Sequence, residues 1–377
     1  MSLTLDQLET PIPVVDLDRL ARNLDRAASY TSQHGLALRP HIKTHKSPRI
    51  ASEQLRRGAI GLTCATPFEA EVMSAVSDDL LVAYPPVGAR ATRLTALPET
   101  VKLTVALDSA EAIENIAAAA RAADRPVSVY VELDLGMHRV GVPRIDEAIE
   151  LARLILDRAP LEFEGIAFYP GHVRESVDEQ SSKLEQLNAV LRSTLATFDR
   201  AGIRPSVVSG GSTPTMWRSH ELTGVTEIRP GTYVYNDRTT AAIGACDWDD
   251  CALTVLATVV STAIPGQAVV DAGTKALGRE PMRGTDSADG FGCVLGHPDV
   301  VVKSMSEEHG ILDLVKSDWR PRVGDQVRII PNHVCIVVHL NDAIAGIRGD
   351  EVETTWPVAA RGRGFRLSTE LAEASSS

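Results

Sequence analysis

A chain of 377 residues, 44% hydrophobic and 23% charged, has the make-up of an ordinary soluble globular protein with room for two domains. Its formal net charge of −12 argues against nucleic acid and anionic membrane as partners, since both would be repelled. The start MSLTLDQLETP lacks a signal peptide's basic and apolar regions, no run approaches the ~20 apolar residues that span a bilayer, and five irregularly spaced cysteines frame no disulfides, so a cytoplasmic protein is expected.

In chain order, SLTLDQLETPIPVVDL precedes a helix at 18–34 and is expected to lend a strand to a later sheet. Short apolar, β-branched segments then recur at 36–43, 59–65, 79–85, 101–107, 127–134, 163–170, 206–211 and 225–231. Helical patterns lie between them at 109–124, which opens on Ser109, at 144–159, with Ile145, Ile149, Ala152 and Leu156 on one face, and at 180–202. Eight strands alternating with helices predict an α/β fold, a (β/α)₈ barrel over 18–245; a doubly wound open sheet is the competing architecture. Beyond residue 245 the segments 251–273, 292–305, 325–340 and 354–362 read as strands and turns. They predict a mostly antiparallel β domain formed by residues 1–17 and 246–370, with 371–377 a disordered tail.

Barrels place chemistry at the C-terminal ends of their strands and bind phosphate after strands 7 and 8. The unusual residues of this chain gather there: RPHIKTHK after strand 1, ELDLGMHRVG after strand 5, FYPGH after strand 6, SGGSTPT after strand 7 and EIRPGTY after strand 8. Gly210 and Gly211, with hydroxyls from Ser212 and Thr213, and the turn Gly231–Thr232–Tyr233 can cradle a phosphate through backbone donors; taken singly, Gly-Gly is equally a tight turn. Lys43, at a strand mouth, can form a Schiff base with an aldehyde cofactor if its neighbours lower its pKa. His41, His45 and Lys46 are expected to make that neighbourhood polar and cationic, although KTHK alone is equally a solvated loop.

LDLGMHRVG (133–141) and IRPGTYVYND (228–237) resemble two stretches of alanine racemases, and RPHIKTHKSP resembles the cofactor-lysine segment of D-threonine aldolases and D-serine dehydratases. The resemblance to this branch of the alanine-racemase-like, fold-type III enzymes runs over nearly the whole chain, through EEHG (307–310) and PNHVC (331–335). It implies pyridoxal 5'-phosphate carried on Lys43, with Arg139 near its phenolic oxygen and Arg229 facing its pyridine nitrogen; Tyr169, Tyr233 and Tyr235 are pocket candidates. A guanidinium does not readily give up its proton, so the ring nitrogen would stay unprotonated and the electron sink weaker than one paired with an aspartate.

The resemblance also implies a divalent metal (Zn, Mn or Mg) on His333 and Cys335. Read as a strand, this segment puts both side chains on one face, and imidazole with thiolate suits zinc better than magnesium. A metal at a substrate β-hydroxyl leads to two reactions on a D-amino acid: retro-aldol cleavage to glycine and an aldehyde, which is preferred, or dehydration to a 2-oxo acid and ammonia. His172 is the candidate base, although the aldolases carry their loop histidine two positions earlier, where this chain has Pro170. His-x-Cys departs from the aldolases' His-x-Asp and resembles the dehydratases. His309 is a further residue placed near the metal, and Asp271 and Lys275 are weaker candidates for orienting the site. A racemase and a non-catalytic cofactor carrier are the remaining readings, and the family implies a homodimer.

Overall fold

The computed structural model describes residues 3–282, 290–362 and 364, so the tail expected at 371–377 lies outside the described residues. Eight parallel strands form one sheet: β1 (Ala37–Leu38), β2 (Leu62–Cys64), β3 (Asp79–Val82), β4 (Lys102–Leu107), β5 (Val127–Leu133), β6 (Leu161–Phe168), β7 (Val207–Gly210) and β8 (Glu227–Ile228). Neighbours follow chain order from β2 to β8, and β8 pairs in parallel with β1. The ring closes between β1 and β2, where the Ile60 N–H donates to the Leu38 carbonyl and the Thr63 N–H to that of Pro40, each at 2.9 Å. A closed ring excludes the doubly wound sheet and gives the expected barrel.

Every residue of β5 is buried, as a parallel strand covered on both faces requires. The helix Leu17–His34 starts on Asp16, whose carboxylate accepts from the amides of Asp18 and Arg19, and stops at Gly35 with φ 63°. Ser109 caps Ala110–Ala122 through the Ala112 amide.

The remaining strands form a second, mostly antiparallel sheet of ten strands. The N-terminal strand Ile12–Asp16 lies inside it, antiparallel to Leu253–Ser261 and parallel to Ala343–Arg348. One expectation fails here. The segment 325–340 is a strand only over Gln326–Pro331, and Val334–Leu340 is a helix whose N-cap residue is His333. A β-branched apolar run such as VCIVV suits a buried strand or a buried helix equally. Here Val334, Val337 and Val338 are buried at helical spacing, and that packing decides the outcome. The same-face argument for His333 and Cys335 therefore falls, and another geometry joins them.

Candidate active site

The mouth of the barrel holds a cavity of about 290 Å³. Strand β1 ends early, Pro40 follows, and Ile42–Thr44 makes one 3₁₀ turn with Ile42 buried beneath it. This turn puts Lys43 into the cavity wall, its Nζ 5.9 Å from the centre of the Tyr169 ring. Arg139, from the loop after β5, stands 4.8 Å from the same ring centre.

The basic segment around Lys43 is less cationic than its composition suggests. His45 is buried, bonds Gln54 at 3.1 Å, and is pushed down to about 3 by burial, so it stays neutral. His41 lines the cavity, and burial followed by the charges of Lys43, Arg229, Lys46 and Arg139 holds it well below the usual imidazole range. Lys46 turns away and pairs with buried Glu69. The cavity's positive charge therefore comes from Lys43, Arg139 and Arg229.

Gly211, Ser212, Thr213, Gly231 and Thr232 form the opposite wall. Among the described residues, no acceptor meets the amides of Gly211, Thr213 or Gly231, which leaves three donors for an anion. Gly211 sits at φ +102°, and a Cβ on Gly231 would approach Thr44 Oγ1 to 2.8 Å and the His41 carbonyl to 2.9 Å. Gly210 and Tyr233 stand behind this wall. A Cβ on Gly210 would meet the Phe168 ring at 2.2 Å, and the buried Tyr233 phenol accepts from Gln54 at 2.9 Å. Tyr235 is also buried, and its hydroxyl has no partner among the described residues.

Arg229 is 7% exposed and is held from below by the Phe168 carbonyl at 3.1 Å and by Ser209. The Ser209 hydroxyl donates in turn to Glu227, which pairs with Arg39, which pairs with Asp79. Buried charges persist only when paired, and this chain pairs each in turn through the barrel interior. Glu132 also reaches the cavity, with its carboxyl raised by burial. ELDLG contained that residue, and its acidic side chain at a strand end was the available signal.

A smaller cavity of about 90 Å³ adjoins the first and shares Tyr169, Ser212, Pro214 and Thr232 with it. His333 and Asp237 are in its wall. The His333 Nδ1–H donates to Asp237 Oδ2 at 3.0 Å, which turns Nε2 away from the carboxylate. Asp237 is fully buried and also accepts from the amides of Thr240 (2.9 Å) and Val334 (3.3 Å). Sequence reasoning missed it, although it closes IRPGTYVYND and precedes RTT as a helix cap. Cys335, in the first turn of the helix, stands beside His333 and lies 3.3 Å from Thr44 Oγ1. Burial alone would raise its thiol; His333, Lys43 and Thr44 outweigh that and hold it at about 7. The thiol and Asp237 hold His333 well above the ordinary imidazole range against its burial.

These donors fit a cation. A carboxylate fixes the imidazole by its far nitrogen, and a thiol of lowered pKa stands beside it. No third His, Cys, Asp or Glu completes a set of three among the described residues, so a bound ion would keep open positions. His309 is exposed, Lys275 pairs with Glu308 at the surface, and Asp271 accepts from Thr10 and the Thr258 amide. His172 lines neither cavity. Its ring faces Gly136, its Nδ1 is buried with no partner among the described residues, and burial, then Lys183, lowers its pKa.

Residues 15–239 match the family model described as alanine racemase, N-terminal domain, and residues 252–347 match that of a putative serine dehydratase domain. The chain is 31% identical to a 3-hydroxy-D-aspartate aldolase of Paracoccus denitrificans, covering 95% of this chain and 94% of that one. It is 34% identical to a D-threo-3-hydroxyaspartate dehydratase of Delftia, covering 94% and 98%. The crystal structure of a D-threonine aldolase from Filomicrobium marinum superposes with a TM-score of 0.88 at 31% identity, over 97% and 99% of the two chains. Solved variants of a D-threo-3-hydroxyaspartate dehydratase replace a histidine or a cysteine two residues apart by alanine, and the cysteine variant is a metal-free form.

Proposed function

The chain belongs to the alanine-racemase-like enzymes, in the branch of D-amino-acid aldolases and dehydratases, and from that premise we propose that this lyase splits D-β-hydroxy amino acids into glycine and an aldehyde. The observation that carries the reading is the adjacency of two half-sites: Lys43 with its anion cup, and the Asp237–His333–Cys335 set on the far side of Tyr169.

Pyridoxal 5'-phosphate fits the first half-site: Lys43 would hold it covalently, the wall of Gly211, Ser212, Thr213, Gly231 and Thr232 would take its phosphate, and Arg229 and Arg139 would face its ring. When bound, it supplies an electron sink for a bond broken at Cα. His333 and Cys335 would hold a divalent cation, which supplies a Lewis acid beside the substrate's β-oxygen.

The chain's own groups then have defined tasks. Arg229, anchored by Ser209 and Phe168, stays charged and keeps one orientation. Asp237 prevents the His333 ring from turning. In cleavage the Cα–Cβ bond breaks, the hydroxyl loses its proton, and Cα gains one; the Lys43 amine, in the cavity wall, would deliver that proton.

Dehydration is the second reading, and the His-x-Cys pair favours it, since the dehydratase variants alter residues of those two types at that spacing. The products decide between the two. Purified holoenzyme given D-threonine should release glycine and acetaldehyde in equal amounts; 2-oxobutanoate and ammonia without glycine would replace cleavage by dehydration. Chelation should suppress either reaction, whereas full activity after chelation would point to racemisation. We also propose a cytoplasmic homodimer, on the family resemblance; among the described residues no helix is long and apolar enough to cross a membrane.

A further inference from the structure

Three cations line the first cavity, and a cofactor phosphate with a substrate α-carboxylate would provide anions for that wall. A fourth cation stands elsewhere. Arg174, in the loop after β6, lines the second cavity beside His333 and is half-buried.

Its Nε donates to the Gly171 carbonyl at 2.7 Å, which ties the arm down and leaves the terminal Nη groups. No carboxylate pairs with it among the described residues. The nearest in sequence, Glu175, uses one oxygen for Arg174's own backbone amide at 3.0 Å and the other towards Lys183 at 3.9 Å. Asp237, the acid in the same wall, is committed to His333 and two amides. A half-buried guanidinium without a counter-ion is costly, and a bidentate carboxylate is the partner its fork matches.

Ser212, Thr232, Thr239 and Thr240 add hydroxyls to the same wall that can bond a carboxylate's oxygens, while Tyr169, Pro214 and Ile243 form its apolar part. With the β-oxygen beside His333, the substituent beyond Cβ falls in this cavity. We infer that Arg174 is a specificity residue that binds a side-chain carboxylate, so that the preferred substrate is a β-hydroxy dicarboxylic amino acid of the 3-hydroxyaspartate type. The inference rests on the lyase reading for the placement of Cβ.

The test measures binding and turnover on the full-length holoenzyme. Calorimetry should show D-aspartate binding at least tenfold more tightly than D-2-aminobutyrate. Arg174→Gln should weaken D-aspartate at least tenfold and change D-2-aminobutyrate less than threefold, with Arg174→Lys intermediate. In turnover, Arg174→Gln should lower kcat/KM at least fiftyfold for D-3-hydroxyaspartate and less than threefold for D-threonine. Equal weakening of both ligands would make Arg174 a support of its loop and overturn the inference, as would a wild-type preference for D-2-aminobutyrate. If the binding preference depends on Arg174 while neither hydroxy amino acid is converted, the lyase reading fails and the carboxylate site stands.

Discussion

The side chains that decide this site are held by others that touch no substrate. Asp237 is the clearest case: its two oxygens serve one imidazole and two backbone amides, so Asp237→Asn should free the His333 ring. The expected result is a 10- to 100-fold loss of metal affinity with the cofactor's absorbance unchanged, read by titrating metal into the chelated holoenzyme. His172 is the opposite case, prominent in the sequence and set apart in space. Because it lines neither cavity, His172→Gln should keep cleavage within about tenfold of wild type, a typical general base being worth 10²-fold or more. A loss beyond 100-fold would return it to the role of proton acceptor. Lys43, Arg139 and Arg229 were legible as cavity residues because each lies in a recurring motif that follows a barrel strand. Asp237 lay inside IRPGTYVYND and Arg174 two residues beyond FYPGH, and both were hidden, since neither segment tells which polar side chain turns into a cavity wall.

At the level of elements, all eight barrel strands were readable because a parallel strand buried on both faces is a short apolar block with polar or glycine ends. Their lengths were not. LALRPHIK was read as strand to Lys43, yet Pro40 cannot donate to a ladder and the turn Ile42–Thr44 takes over. The PNHVCIVVHL segment misled for the same reason in reverse, because the burial that selects a helix comes from neighbours distant in sequence. The turn after β8 braces the one after β1, with Gly231 against Thr44 and His41. Gly231→Ala should push back the loop that carries Lys43 and weaken cofactor binding at least tenfold, measured by titrating apoenzyme with pyridoxal phosphate and following absorbance. Unchanged affinity would mean that the two turns yield independently.

For the whole molecule, sensitivity to acid follows from histidines buried in neutral form. His45 falls from the usual 6.5 to about 3, and His41 is also lowered, so between those limits the unfolded chain binds protons that the folded chain does not. Their contribution is intact above pH 6.5 and is lost as pH falls below it, down to about 3 for His45, by up to about 1.4 kcal/mol per pH unit for each group. Tm should decline steadily from pH 7 to pH 4, and His45→Gln should flatten that slope; a level profile would count against both assignments. The position of Ile12–Asp16 has a consequence of another kind. Made before the barrel, it finds its two sheet neighbours only at 253–261 and 343–348. The barrel can form while this strand waits, but the second sheet has to be threaded around a segment made some 240 residues earlier. Contacts so distant in sequence close slowly, so synthesis should produce a folded barrel with an unpaired strand, and that species is the one a chaperone would meet.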